Sequence, residues 1–97
     1  VSAYKRETTL RMVYSYLAEA AVVNAFARRE RVGVHVVDVG VDHDFGQAAG
    51  LIQRKVRRGT RNLRGEAAMT ATECAEAIAH GADVVMKLPA LEVLALG

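Results

Sequence analysis

The chain has 97 residues, a net charge of +2, 52% hydrophobic and 25% charged residues, and a single cysteine, Cys74. That length supports one small domain with little stability to spare. The composition excludes a largely disordered chain, and one cysteine excludes an internal disulfide. No apolar run approaches the ~20 residues needed to span a bilayer, and no signal-peptide pattern opens the chain, so a reducing, cytoplasmic setting is expected. A chain that starts at Val1 reads as a processed product or as a piece of something longer.

Residues 7–29 read as one helix. Leu10, Val13, Tyr14, Leu17, Ala21, Val22, Ala25 and Phe26 recur at spacings of three and four and form one apolar stripe. Ser2, Thr8 and Thr9 are the candidate starts, and the charged run 28–31 is the exit. Residues 33–41 hold five valines and read as a strand, apolar on both faces around Val36 and Val37. Residues 42–50, with Gly46 and Gly50, read as the loop that follows it. A helix feeding such a strand predicts a layered α/β arrangement with parallel strands.

The next segment carries most of the positive charge. Arg54, Lys55, Arg57, Arg58, Arg61 and Arg64 lie within residues 51–64 with no acid among them, so the remainder of the chain is mildly acidic. Residues 58–62 read as a loop. Thr70-Ala71-Thr72-Glu73 has the spacing of a capping box and opens a second helix. Its apolar face is expected to be Cys74, Ala77, Ile78, Ala82 and Val85. Gly81 weakens this helix by roughly 1 kcal/mol relative to alanine, and Pro89 stops it at or before Leu88. Residues 91–96 read as a second strand, which ends where such a strand delivers a functional loop.

Standard signatures are missing: there is no G-x-G-x-x-G, Walker A, H-E-x-x-H or paired Cys-x-x-Cys. Three looser features remain. Asp42-His43-Asp44 could hold a divalent metal, although a solvated loop whose acids cap nearby backbone explains the residues more simply. The basic segment suits a phosphate, with Gly59 letting backbone amides approach an anion. A solvated face or a contact with an acidic part of the protein explains it slightly better, and without aromatic residues it suits nucleic acid least. Tyr4 and Met12 could line a pocket for a planar ligand, or simply pack. His35 and His80 each stand alone and read as structural. Cys74 reads as an inert residue on the core side.

Several stretches in register carry a resemblance. They are Val1-Ser2-Ala3-Tyr4, Thr9 to Val13, Ala20-Ala21-Val22-Val23-Asn24, Val36-Val37-Asp38-Val39-Gly40-Val41-Asp42, Lys55-Val56-Arg57-Arg58-Gly59-Thr60-Arg61-Asn62, Ala68-Met69-Thr70 and Leu94-Ala95-Leu96-Gly97. Together they resemble the nicotinate-nucleotide–dimethylbenzimidazole phosphoribosyltransferases over essentially the whole chain. The resemblance implies a Rossmann-like parallel α/β fold, with residues 1–97 forming the central part of a larger three-layer domain in a homodimeric enzyme. It implies transfer of 5-phosphoribose from nicotinate mononucleotide to 5,6-dimethylbenzimidazole. The products are α-ribazole 5′-phosphate and nicotinate, used for the lower ligand of cobalamin, and neither a metal nor another cofactor takes part.

By the same resemblance, Tyr4 and Met12 match base-pocket positions that are polar in some relatives, Arg58, Gly59, Thr60 and Asn62 form a candidate substrate loop, and Gly97 starts a phosphate loop. The family's Ala-Asp-His-Gly segment falls before Val1, its Glu-Met/Leu-Gly segment falls after Gly97, and its glutamate base lies further on. These 97 residues alone are therefore expected to be inactive, because nothing in them takes the proton from the attacking base. Around Leu17 a family glycine pair is replaced by Glu19 and alanines, which suits a continuous helix. Two alternatives stay open: a related transferase with another base acceptor, and a non-enzymatic module binding anions or nucleic acid through the basic loop.

Overall fold

A computed structural model describes residues 4–89 and 93–97. Its elements run α1 (Arg6–Leu17), α2 (Val22–Glu30), β1 (Val36–Asp38), β2 (Leu51–Gln53) and α3 (Ala71–Met86). β1 and β2 pair in parallel, with Val36, Val37 and Asp38 opposite Leu51, Ile52 and Gln53. The expected α/β class with parallel strands is what forms. No helix among the described residues is long and apolar enough to cross a membrane.

The single helix expected over 7–29 is two helices. α1 ends in a Schellman motif: Ala20 N–H donates to Ser15 O at 2.9 Å and Glu19 N–H to Tyr16 O at 3.1 Å. That geometry puts Glu19 in the left-handed region, at φ 54°. Glu19 and its neighbouring alanines do not make the helix continuous, so the expectation of unbroken helix fails. Asn24, 5% exposed, pins the turn: its amide donates to Tyr16 O, and its Oδ1 accepts Ala21 N–H, both at 3.2 Å. The apolar spacing runs through the break because both helices have the same period, and a shared period says nothing about a turn between them. The helix starts at Lys5 without a side-chain cap, so Thr8 and Thr9 lie inside the first turns. Ser2 lies outside the described residues.

The strand expected over 33–41 shrinks to three residues. Residues 33–35 are exposed and find no strand partner among the described residues. Beyond Asp38 the backbone turns, because the Asp38 side chain captures the next amides. β2, read from the sequence only as the start of a basic loop, supplies the other strand. The core lies where α1 covers this sheet: Val13, Phe45 and Leu51 are buried, with Leu10, Leu17, Val36, Val41 and Ala48 packed around them.

α3 begins where expected. Thr70 Oγ1 accepts Glu73 N–H at 3.1 Å and the Glu73 carboxylate accepts Thr70 N–H at 2.6 Å. Its C-cap is Lys87, before Leu88. The inward face is a correction. Cys74 is exposed and Ile78 is 69% exposed. The helix instead turns Val84 inward, with Glu73, His80 and Asp83 facing the basic segment. Residues 93–97 form no strand, and the rest of the strand expected over 91–96 lies outside the described residues. The radius of gyration is 14.7 Å, above the ~13 Å of a compact chain this long, which fits the small number of buried apolar residues.

Candidate functional site

Two parallel strands deliver their following loops to the same edge of the sheet, the usual location of ligand sites in α/β folds. Here those loops are residues 39–46 after β1 and 54–62 after β2. They run side by side: Arg54 N–H donates to Asp38 O at 2.8 Å, Val56 N–H to Val39 O at 3.1 Å and Gly59 N–H to Gly40 O at 2.8 Å.

A buried ion pair sits beneath them. Asp38, 1% exposed, is the most deeply buried charged residue among those described. Its Oδ2 accepts Lys55 Nζ at 2.5 Å, and its Oδ1 accepts Gly40 and Val41 N–H at 3.0 and 2.8 Å. Lys55 Nζ also donates to Val41 O and His43 O and lies 5.6 Å from the centre of the Phe45 ring. Tyr14, His43 and Phe45 stack edge to face alongside. Reading by motif missed this pair. The available signal was an aspartate inside a valine run: a carboxylate there is buried, and a buried charge needs a partner.

The basic segment turns out to be largely neutralised. Arg54 pairs with Asp83, Lys55 with Asp38, Arg57 with Glu73, Arg58 with Asp44, and Arg61 with Glu73 and Glu66. The contact with acidic parts of the protein, one of the readings of this run, therefore accounts for five of its six cations. Three of these carboxylates, Glu73, Asp44 and Asp83, are held below the usual range. Glu73 is pulled down to about 2, first by the Thr70 N–H and then by Arg61. Asp44 is lowered by the Gly46 N–H and by Arg58, and Asp83 by Lys87 and Arg54. In Asp42-His43-Asp44 the acids serve Arg6 at 2.6 Å, and Gly46 N–H and Arg58 at 3.0 Å each. The capping explanation thus accounts for Asp44, whereas Asp42 is engaged by an ion pair with Arg6 and caps no backbone group among the described residues.

The sequence-derived site residues fall into separate groups. Arg58 and Gly59 border the 40–44 turn, and Thr60, the next residue, is exposed. Gly59 sits at φ +65°, a left-handed conformation that favours glycine, and a Cβ there would meet Asp42 Cβ at an ordinary contact distance of 3.7 Å. Asn62 opens a separate turn, its Oδ1 accepting Arg64 N–H at 3.1 Å. Tyr4, 75% exposed, borders a surface concavity of about 490 Å³ with Lys5, Glu7, Thr8 and Arg11. Met12 is 49% exposed and does not line it. Gly97 is exposed, with nothing within 4 Å of where its Cβ would be. One contact connects the Tyr4 group with the Gly59 group. Arg6, two residues beyond Tyr4, holds the same Asp42 that packs against Gly59, so the Tyr4 end of α1 and the basic loop share one rim.

Comparison with known proteins gives a consistent result. The profile of one family, described as phosphoribosyltransferase, matches residues 1–97. A nicotinate-nucleotide–dimethylbenzimidazole phosphoribosyltransferase of Dechloromonas aromatica is 51% identical over 90 residues, covering 93% of this chain and 26% of that protein. One from Geobacter sulfurreducens is 51% identical over 84 residues, covering 87% of this chain and 24% of that protein. The crystal structure of the Thermus thermophilus enzyme of the same name superposes with a TM-score of 0.83 at 40% identity, over 89% of this chain and 26% of that one. The chain thus spans about a quarter of the length of the relatives it matches.

Proposed function

Since this chain belongs to the phosphoribosyltransferase family, we propose that it forms the central part of an enzyme that moves 5-phosphoribose from nicotinate mononucleotide to 5,6-dimethylbenzimidazole. The products are α-ribazole 5′-phosphate and nicotinate. The observation that carries this reading is the match over residues 1–97, together with a fold shared at a TM-score of 0.83 with an enzyme of that name. The contact of Arg6 with Asp42, which brings the Tyr4 end of α1 close to Gly59, supports the assignment of roles that follows. Tyr4 and Met12 contribute to the base pocket, and Arg58, Gly59, Thr60 and Asn62 face the phosphoribosyl group. Gly97 leads into a phosphate-binding loop. The working form is a cytoplasmic homodimer.

In this mechanism the chain positions rather than reacts. The exposed guanidinium of Arg58 stabilises phosphate charge, on a loop held in place by the hydrogen bond from Gly59 N–H to Gly40 O. A flat aromatic holds a planar base at low entropic cost. Proton removal from the benzimidazole falls to a base outside these residues, so residues 1–97 alone are expected to show no turnover. The full-length gene product carrying residues 1–97, incubated with both substrates, is expected to release nicotinate and form α-ribazole phosphate. Absence of both products with every benzimidazole offered would sink the reading.

A second reading differs only in the acceptor. Tyr4 and Met12 stand where some relatives carry polar residues, which favours a less polar or larger base, and a panel of purine, benzimidazole and phenolic acceptors separates the two. A nucleic-acid-binding module is disfavoured, because the ion pairs already engage five of the six basic side chains.

A further inference from the structure

The basic loop hangs from a turn whose shape is held by Lys55 and Asp38 from below. Lys55 Nζ donates to Asp38 Oδ2, Val41 O and His43 O at 2.5, 2.7 and 2.9 Å. Three acceptors exhaust the donors of an ammonium group. Asp38 Oδ1 takes the Gly40 and Val41 amides. Two side chains thus engage four backbone groups of the 40–43 turn. The remaining carbonyl of that turn with a partner in the basic loop is Gly40 O, which accepts Gly59 N–H at 2.8 Å. The fit there is close, since a Cβ added at Gly40 would stand 3.3 Å from Arg57 O.

A buried ion pair is a poor source of net stability compared with apolar residues of similar volume, because desolvating two charges offsets their attraction. What it supplies is directional contact. An apolar pair would fill the space but would leave the Gly40 and Val41 amides without these acceptors and the His43 carbonyl without the Lys55 donor, while Val41 O would keep only the His43 N–H.

We propose that Lys55 is a positioning residue for the phosphoribosyl donor. Clamped to Asp38, it sets the 40–43 turn, and through the Gly40–Gly59 hydrogen bond it sets where the flanking Arg58 and Thr60 present their donors to the substrate phosphate. The inference rests on the transferase reading above.

The test uses the full-length gene product with Lys55→Met and, separately, the double change Asp38→Leu with Lys55→Met. The double variant removes both charges together, so folding does not depend on burying one alone. Amide exchange is read at Gly40, Val41 and Gly59, with α3 as the internal control. KM is measured for nicotinate mononucleotide and for dimethylbenzimidazole. In the double variant α3 keeps its protection while the three loop amides lose theirs. KM for nicotinate mononucleotide rises at least about tenfold, since displacing a binding group by ~1 Å costs up to ~100-fold, and KM for the base stays within about twofold. Unchanged protection at Gly59, or an equal rise in both KM values, overturns the inference. If the unsubstituted protein turns nothing over, the transferase reading fails by itself. The exchange result then still decides whether Lys55 and Asp38 hold the basic loop.

Discussion

Arg61 meets Glu73 end-on: Nη1 and Nη2 donate to Oε2 and Oε1 at 3.0 and 3.3 Å, while the same carboxylate accepts the Thr70 N–H. One residue therefore closes the cap of α3 and ties that helix to the basic loop. An isolated cap or an isolated surface ion pair does only one of these things.

This double role predicts a pH dependence. The Glu73 carboxyl titrates at about 2 in the folded chain against an ordinary value of 4.5. A depressed folded value means that the stabilisation is fully present above about pH 4.5 and is lost as the pH falls toward 2. Glu73→Gln is expected to lower the urea midpoint at neutral pH, with the gap from the parent closing across that window. A gap that stays constant down to pH ~2 would assign the effect to packing instead. Thr70→Ala removes the other half of the cap and is expected to cost about 1 kcal/mol.

Glu19→Gly is expected to stabilise the chain. A non-glycine residue in the left-handed region costs roughly 1–2 kcal/mol. Glycine relieves most of that, and what is lost is an exposed contact with Arg28 at 3.8 Å, of a kind worth little. The bond from Arg28 to the Glu19 carbonyl uses backbone and survives. The gain should be about 1 kcal/mol in denaturant unfolding, and a loss would show that the side chain matters more than its backbone angle.

Asp38→Ala should be the most damaging single change at the sheet edge. It strands the Lys55 ammonium, whose side chain is 20% exposed, and frees the Gly40 and Val41 amides. Breaking a buried pair from one side costs ~3–5 kcal/mol, a large share of what a domain this small possesses. Circular dichroism at about 25 °C is expected to show partial or complete unfolding.

Arg58→Ala should separate stability from function. Its pair with Asp44 is exposed on both sides, so the cost in stability should stay below about 1 kcal/mol. In the full-length product, KM for nicotinate mononucleotide should nevertheless rise, because a charge-assisted phosphate contact is lost. An unchanged KM would remove Arg58 from the proposed substrate loop.

How much was legible in the sequence varied with the range of the interactions involved. α3 was readable from Thr70 to its stop before Pro89, because a capping box and a proline act within one turn of chain. The class of fold was readable from the valine run and its neighbouring helix. The break at Glu19 was not, since it depends on Asn24 reaching back to Tyr16, and periodicity is blind to that. The inward face of α3 was misread for a related reason. Apolar spacing ranks Cys74 and Ile78 as core residues, yet Arg54, Arg57 and Arg61 draw Glu73, His80 and Asp83 inward.

The basic loop shows the division most clearly. By itself the sequence determined that six cations lie close together, that Gly59 permits a left-handed turn, and that the chain resembles one enzyme family along its length. Charge count, backbone freedom and residue order are properties of the chain itself. Only the tertiary structure decided which acid each cation meets, that Asp38 is buried under Lys55, and that Asp42 joins the Tyr4 end of α1 to the loop at Gly59. Each of those depends on residues far apart in the chain being brought within about 3 Å, and that distance is set by the packing of α1, the two short strands and α3.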